Sequence, residues 1–158
     1  MSQELDGFDC KILELVQRDC SLAAEVIAER VGLSTSAVQR RLKRMRRQGV
    51  IVAQVAVVDA KLVGRPLTFI AAAEIERERP ELLQALRRWC AAEDSVQQVY
   101  YVTGAADLVM VIVAESVEAY DAITARLVAD NPNVRRVTTC VVLHTFKRGL
   151  FVPVNGST

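Results

Sequence analysis

The sequence predicts an α+β protein in two parts, an N-terminal unit of three helices followed by a βαββαβ unit. Two observations carry this expectation. Apolar residues in the first fifty positions recur at helical spacing, and after Gly49 the period shortens to two. From Pro66 onward, strand-like and helix-like segments follow in the order strand, helix, strand, strand, helix, strand. With 158 residues, 51% of them hydrophobic, the chain can form one ordinary domain or two small ones around a buried core.

Three short helices are expected in the first fifty residues. Asp6 is placed to cap the first, with Asp9 three residues on, and Phe8, Ile12, Leu15 and Val16 fall at i, i+4, i+7 and i+8 on one face. A second helix, about Ala23 to Arg30, turns Ile27 and Val31 inward and stops at Gly32, a suitable left-handed residue. Ala23 brings no capping side chain, so the N–H groups there are expected to turn to water or to Ser21. Ser34 caps the third helix, which ends at Gly49 and carries Val38, Leu42 and Met45 as its apolar stripe.

That third helix, LSTSAVQRRLKRMRRQG, holds six Arg and Lys and no acid. At about 100° per residue, the face opposite the stripe collects Ser36, Arg40, Lys43 and Arg47, with Gln39 and Arg44 on its flanks. Ordinary surface helices intersperse acids for solubility and i,i+4 pairing; one without them points to a polyanion. The whole-chain net charge of +1 conceals this. Residues 1–50 hold nine Lys and Arg against seven Asp and Glu, whereas residues 51–158 hold eleven against twelve. Two helices joined by a tight Gly-Leu-Ser turn, the second basic, form the pattern of a helix-turn-helix. Its second helix enters the major groove of double-stranded DNA, its N-terminal residues meet base edges, and flanking cations hold phosphates.

After Gly49, Val50 to Asp59 alternates loosely as a strand and Ala60 to Arg65 reads as a connector. The second unit then reads as a strand (Leu67 to Glu76), a helix (Pro80 to Ala92), strands Val96 to Thr103 and Leu108 to Glu115, a helix (Val117 to Asp130) and a strand (Val134 to Phe146). Pro80 suits the first turn of a helix whose stripe is Leu82, Leu83, Leu86, Trp89 and Cys90. Ser116 is a natural cap for the other helix, with Tyr120, Ile123 and Leu127 inward, and Asn131-Pro132-Asn133 is a turn. This order gives a ferredoxin-like sandwich, with both helices on one face of a four-stranded antiparallel sheet. The other face should be polar, yet LVMVIVA at 108–114 is apolar on both sides and Thr68, Ile70 and Ala72 add no charge. A second copy of the chain is the expected cover, giving a homodimer through the sheet.

No apolar stretch is long enough to span a bilayer, and the acidic MSQELDGFD start lacks the basic-then-apolar pattern of a signal peptide, so a cytoplasmic protein without a membrane partner is expected. Cys10, Cys20, Cys90 and Cys140 show no CxxC spacing and sit in apolar-periodic segments, which predicts buried free thiols. A single histidine, His144, cannot build a His-rich metal site, no Ser-His-Asp or Cys-His arrangement can be nominated, and no Gly-rich phosphate loop is present. The expectation is a non-enzyme without metal or cofactor.

At LDGFDCKILELVQRD, AERVGLSTSAVQRRLKRMRRQGVI, VTGAADLVMVI and NPNVRRVTTCVVLHTFK, in this order and spacing, the chain resembles the Lrp/AsnC, or feast/famine, transcriptional regulators over nearly its whole length. The resemblance implies an N-terminal winged or extended helix-turn-helix over residues 1–50, a linker strand and connector over 51–65, a dimerising effector domain over 66–146 and a tail over 147–158. It also implies dimers assembling into tetramers, octamers or larger rings, and a small molecule, usually an amino acid, bound between effector domains.

Carried over residue by residue, the resemblance sets Ser34, Thr35, Ser36, Gln39, Arg40, Lys43 and Arg44 nearest DNA. Gln39 and Arg40 are the candidates for base contact, because Gln pairs bidentately with adenine and Arg with guanine; Lys43, Arg44 and Arg47 are the candidates for phosphates. Arg41 and Arg46 lie nearer the apolar stripe and are expected to snorkel from it. For an effector, the resemblance marks Thr103, Gly104 and Asp107 in a turn, with Thr138 and Thr139 as the far wall. Asp107 would accept from an ammonium and turn N–H groups would donate to a carboxylate. Ala105 and Ala106 depart from the acid or Asn and the aromatic that relatives often carry there. The competing reading for Gly104 and Asp107 is a hairpin turn with local hydrogen bonds.

Two other functions fit the architecture. Siroheme decarboxylases resemble it, but a tetracarboxylated macrocycle calls for a pocket rich in His and Arg, and the second half has one His and scattered Arg. A nucleoid-organising protein would use the same six cations without regard to sequence.

Overall fold

The computed structural model describes residues 5–76 and 79–154. The chain divides into two compact units: the part up to Ala56 together with the segment from Lys147 onward, and Val57–Phe146.

The first unit holds α1 (Gly7–Arg18), α2 (Ala24–Val31) and α3 (Thr35–Arg47). At the start of α1 the Asp9 N–H donates to Asp6 Oδ1 at 2.9 Å and the Asp6 N–H to Asp9 Oδ2 at 3.2 Å, a reciprocal capping box. The first turn of α1 sends Asp9 and Cys10 inward, and Phe8, expected inside, is 40% exposed. The expected stripe is thus corrected at its first member. Gly32 ends α2 at φ +75°, where its N–H and that of Leu33 both reach the Ala28 carbonyl. Ser21 does not help α2, since its N–H and hydroxyl both donate to Asp19. Ser34 Oγ accepts from the Ala37 N–H at the start of α3. Ile12, Leu13, Ile27, Ala28, Val31, Val38, Leu42 and Met45 close the core, with Val154 of the C-terminal segment packed on it.

The expected strand over Val50–Asp59 is absent. Alternation makes a strand only when a neighbour supplies a ladder; none among the described residues of the chain pairs with this segment, and Val52, Val55, Val57 and Val58 stay exposed.

In the second unit, β1 (Leu67–Ile75), α4 (Pro80–Ala92), β2 (Val96–Tyr101), β3 (Leu108–Ala114), α5 (Val117–Asp130) and β4 (Val134–Val141) follow in the expected order. The antiparallel sheet runs β2-β3-β1-β4. This is the ferredoxin-like arrangement. Its core joins Phe69, Ala71 and Ala73 of β1 and Leu108, Met110 and Ile112 of β3 to Leu86 and Cys90 of α4 and Tyr120, Ile123 and Leu127 of α5. β4 stops well short of Phe146, because its last bond, Val142 N–H to Thr68 O, meets the start of β1, and Pro66 before Leu67 has no N–H to extend the ladder. The opposite face presents Thr68, Ile70, Ala72, Val109 and Val111, bordered by Tyr100 of β2 and by Thr138 and Cys140 of β4. Ile70 on it is 40% exposed.

All four cysteines are free, but only Cys10 and Cys90 are buried. Cys20 lies just past the end of α1, and Cys140 lies on the uncovered sheet face opposite Ile70, which corrects the expectation of four buried thiols.

Candidate nucleic-acid interface and effector turn

The amphipathic period of α3 decides which cations can face a partner. Val38, Leu42 and Met45 are buried, which leaves Ser36, Gln39, Arg40, Lys43 and Arg47 exposed. Among the described residues, Arg40, Lys43 and Arg47 form no ion pair. The other three cations are engaged. Arg41 donates to Asp6 at 2.6 Å and to Asp9 at 2.8 Å, Arg44 donates to the second oxygen of Asp9, and Arg46 donates to Gln54 at 2.9 Å. Asp9 is 1% exposed, so two guanidinium groups meet one buried carboxylate. Asp6 is held below the usual carboxylate range by the Asp9 N–H and by Arg41, and the two carboxylates raise Arg41.

Arg44, which the sequence suggested for phosphates, is thus ion-paired to Asp9 within the domain, unlike Lys43 and Arg47. Asp9 was missed as its partner. The available signal was an acid at the third position of a helix that would lie against an acid-free basic one. At the N-terminus of α3, Thr35 is half-buried, and Ser34 and Ser36 are exposed with hydroxyls 3.2 Å apart.

The turn between β2 and β3 runs through Thr103 and Gly104, both exposed, with Gly104 at φ +126° where a side chain would be strained. Val102 N–H donates to Asp107 O at 2.8 Å, and Asp107 N–H donates to Ala73 O at 3.0 Å. Asp107 Oδ2 accepts from the Ile75 N–H at 2.6 Å. The register of β1 with β4 shifts between Glu74 and Ile75, and the carboxylate satisfies the N–H at this irregularity. The Asp107 side chain and N–H are therefore tied to β1, 32 residues away in the chain at Ile75, whereas the local-turn reading expected bonds within the hairpin.

Thr138 and Thr139 do not form one wall within the chain. Adjacent strand residues point to opposite faces: Thr138 sits opposite Ala72 on the open face, and Thr139 opposite Ala71 on the helix face, where its hydroxyl meets that of Tyr120 at 2.5 Å. The Tyr120 ring stacks on Phe69 with centroids 3.9 Å apart, and burial pushes its phenol up.

Family models match both halves. Residues 5–46 match the AsnC-type helix-turn-helix domain, and residues 68–150 match the Lrp/AsnC ligand binding domain. The chain belongs to the Lrp/AsnC family. Like other members it is a DNA-binding transcriptional regulator, and the family name covers both of its units. An uncharacterized HTH-type transcriptional regulator of Sinorhizobium fredii is 39% identical over 97% of this chain and 90% of its own length. The transcriptional regulator AzlB of Bacillus subtilis is 30% identical over 96% of each chain. Among solved structures, an AsnC family regulator from Agrobacterium tumefaciens superposes with a TM-score of 0.87 at 29% identity, covering 94% of this chain and 96% of that one. A Neisseria meningitidis transcriptional regulator solved with L-Met shares the fold at a TM-score of 0.88 and 23% identity, covering 96% and 97%. Among the described residues no helix is long and apolar enough to cross a membrane.

Proposed function

We propose that this Lrp/AsnC regulator reads double-stranded DNA by seating α3 in the major groove. In this reading Ser34, Thr35, Ser36, Gln39 and Arg40 lie nearest the base edges, and Lys43 and Arg47 lie on phosphates. The observation that carries the reading is the partition of one helix's cations: Arg41 and Arg44 are paired with Asp6 and Asp9, whereas Arg40, Lys43 and Arg47 share an exposed face without an ion-pair partner among the described residues. Charge left exposed in this way is matched by an external polyanion. The protein acts in the cytoplasm as a regulator and not as an enzyme. It works as a homodimer closed over the open sheet face, so that two recognition helices meet two half-sites, and dimers assemble further into tetramers, octamers or larger rings.

An amino acid bound between effector domains modulates it. The L-Met complex of the Neisseria relative supports that ligand class. At the turn, backbone N–H groups near Thr103 and Gly104 receive the carboxylate, the second oxygen of Asp107 receives the ammonium, and Thr138 or Thr139 contributes from separate sheet faces. The test is a footprint taken with and without each of the twenty amino acids. One phased, palindromic protected site whose occupancy changes with one amino acid is expected. Protection everywhere would mean an architectural protein, and an unresponsive site would remove the effector.

A further inference from the structure

The segment after Phe146 has no part in the reading above, yet it is built into the DNA-binding unit. Gln17 Nε2 donates to the Val152 carbonyl at 3.0 Å, and the Val152 N–H donates back to Gln17 Oε1 at 2.8 Å. The Arg18 guanidinium lies 4.5 Å from the centre of the Phe151 ring. Val154 packs with Leu5, Leu15, Val16 and Leu22 against the helical core. These contacts grip the C-terminal end of α1, whereas Asp9 near its N-terminus holds Arg41 and Arg44 of α3. α1 is thus fixed at both ends, one to the C-terminal segment and one to the basic helix.

We propose that Phe151–Val154 is a positioning element for α3. It acts through α1, setting the azimuth at which Gln39 and Arg40 face DNA. Bidentate base contacts need a donor placed within a few tenths of an ångström, whereas attraction between a cation and a phosphate falls slowly with distance. Removing the element therefore reduces selectivity before it reduces affinity. A three-helix unit of this size buries little surface, so an added clamp has leverage on its geometry. The same segment follows β4 in the chain, so the polypeptide changes unit twice, once between Ala56 and Val57 and once after Phe146.

The proposal rests on α3 being the recognition helix, and the experiment separates the two. Full-length Phe151→Ala and Gln17→Ala proteins are compared with the unaltered protein on a duplex selected by the latter from a random pool and on a scrambled duplex, well below the melting temperature. The ratio of the two affinities is expected to fall about tenfold, the worth of one bidentate contact. The salt slope is expected to stay unchanged, because every cation remains, and Phe151→Tyr is expected to keep the ratio. A lowered melting temperature with an unchanged ratio would mean a merely stabilising tail and would overturn the proposal. Arg40→Ala is the internal control. If it lowers the ratio while Phe151→Ala and Gln17→Ala do not, only the positioning role fails; if it too leaves the ratio unchanged, α3 is not the reading helix and both ideas fall.

Discussion

Arg41 Nη1 lies 2.8 Å from Asp9 Oδ1, and Asp9 is buried. The carboxylate also caps its own helix and accepts from Arg44, so one side chain fixes α1 to α3 and divides the basic helix into an inner and an outer set of cations. Removing one member of such a cluster leaves charge without a partner. Asp9→Asn is expected to lower stability by about 2 kcal/mol, less than for a fully buried pair because both arginines reach solvent. Chemical denaturation checks this, and a change within about 0.5 kcal/mol would contradict it.

Asp6 gives the unit an acid-sensitive component. The Asp9 N–H and Arg41 favour its ionised form, so its folded pKa is below its unfolded value of about 3.9. As pH falls the unfolded chain takes up the proton first, so this contribution is complete above about pH 5 and fades as pH drops through the folded value. Asp6→Asn is expected to flatten that acid limb in melts recorded between pH 6 and pH 3; an unchanged slope would show that Asp6 is unimportant there.

The outer cations should separate by role. Lys43→Ala and Arg47→Ala are each expected to weaken specific and random duplex alike and to reduce the salt slope by roughly 0.9 for each phosphate no longer neutralised. Arg40→Ala is expected to cost about 1–3 kcal/mol on the specific site and to relax preference at one base position. Arg44→Ala should reduce stability more than it changes the salt slope. Fluorescence anisotropy across a salt series distinguishes these outcomes.

At the turn between β2 and β3 the role the geometry gives Asp107 is structural. Asp107→Ala leaves the Ile75 N–H without its acceptor and is expected to cost about 1–3 kcal/mol in the absence of any ligand. Asp107→Asn keeps an oxygen there and should retain most of the stability. Equal destabilisation by the two would show that charge, and not the hydrogen bond, matters.

The uncovered sheet face provides a test of assembly. Ile70→Lys and Val111→Lys each introduce a cation onto it and are expected to shift the sedimentation profile from dimer to monomer at low micromolar concentration. Persistence of the dimer in both would place the interface elsewhere.

The sequence was most informative where structure is local. Val38, Leu42 and Met45 declared the buried side of α3, Ser34 and Ser116 cap the helices they were expected to cap, and the βαββαβ order follows from changes of period. It was least informative where a partner comes from afar. Asp9 reads as half of a local capping box, and nothing in its neighbourhood announces two arginines more than thirty residues away. Val50–Asp59 alternates like a strand but finds no ladder within the chain, and β4 ends before its strand-like pattern does because its length depends on where β1 begins. Thr138 and Thr139 looked like one wall because they are adjacent in sequence, whereas pleating sends them to opposite faces. Gln17 and Phe151 carry no motif; folding alone brings them into one unit.

The pairing at residue 152 has an evolutionary corollary. Gln17 binds the backbone N–H and carbonyl there and ignores the side chain, so most replacements of Val152 leave both bonds intact, while proline, which lacks the N–H, breaks one. Drift is therefore tolerated at position 152 itself and constrained around it, at Gln17, whose amide makes both bonds, and at Phe151 and Val154, whose side chains meet Arg18 and the helical core.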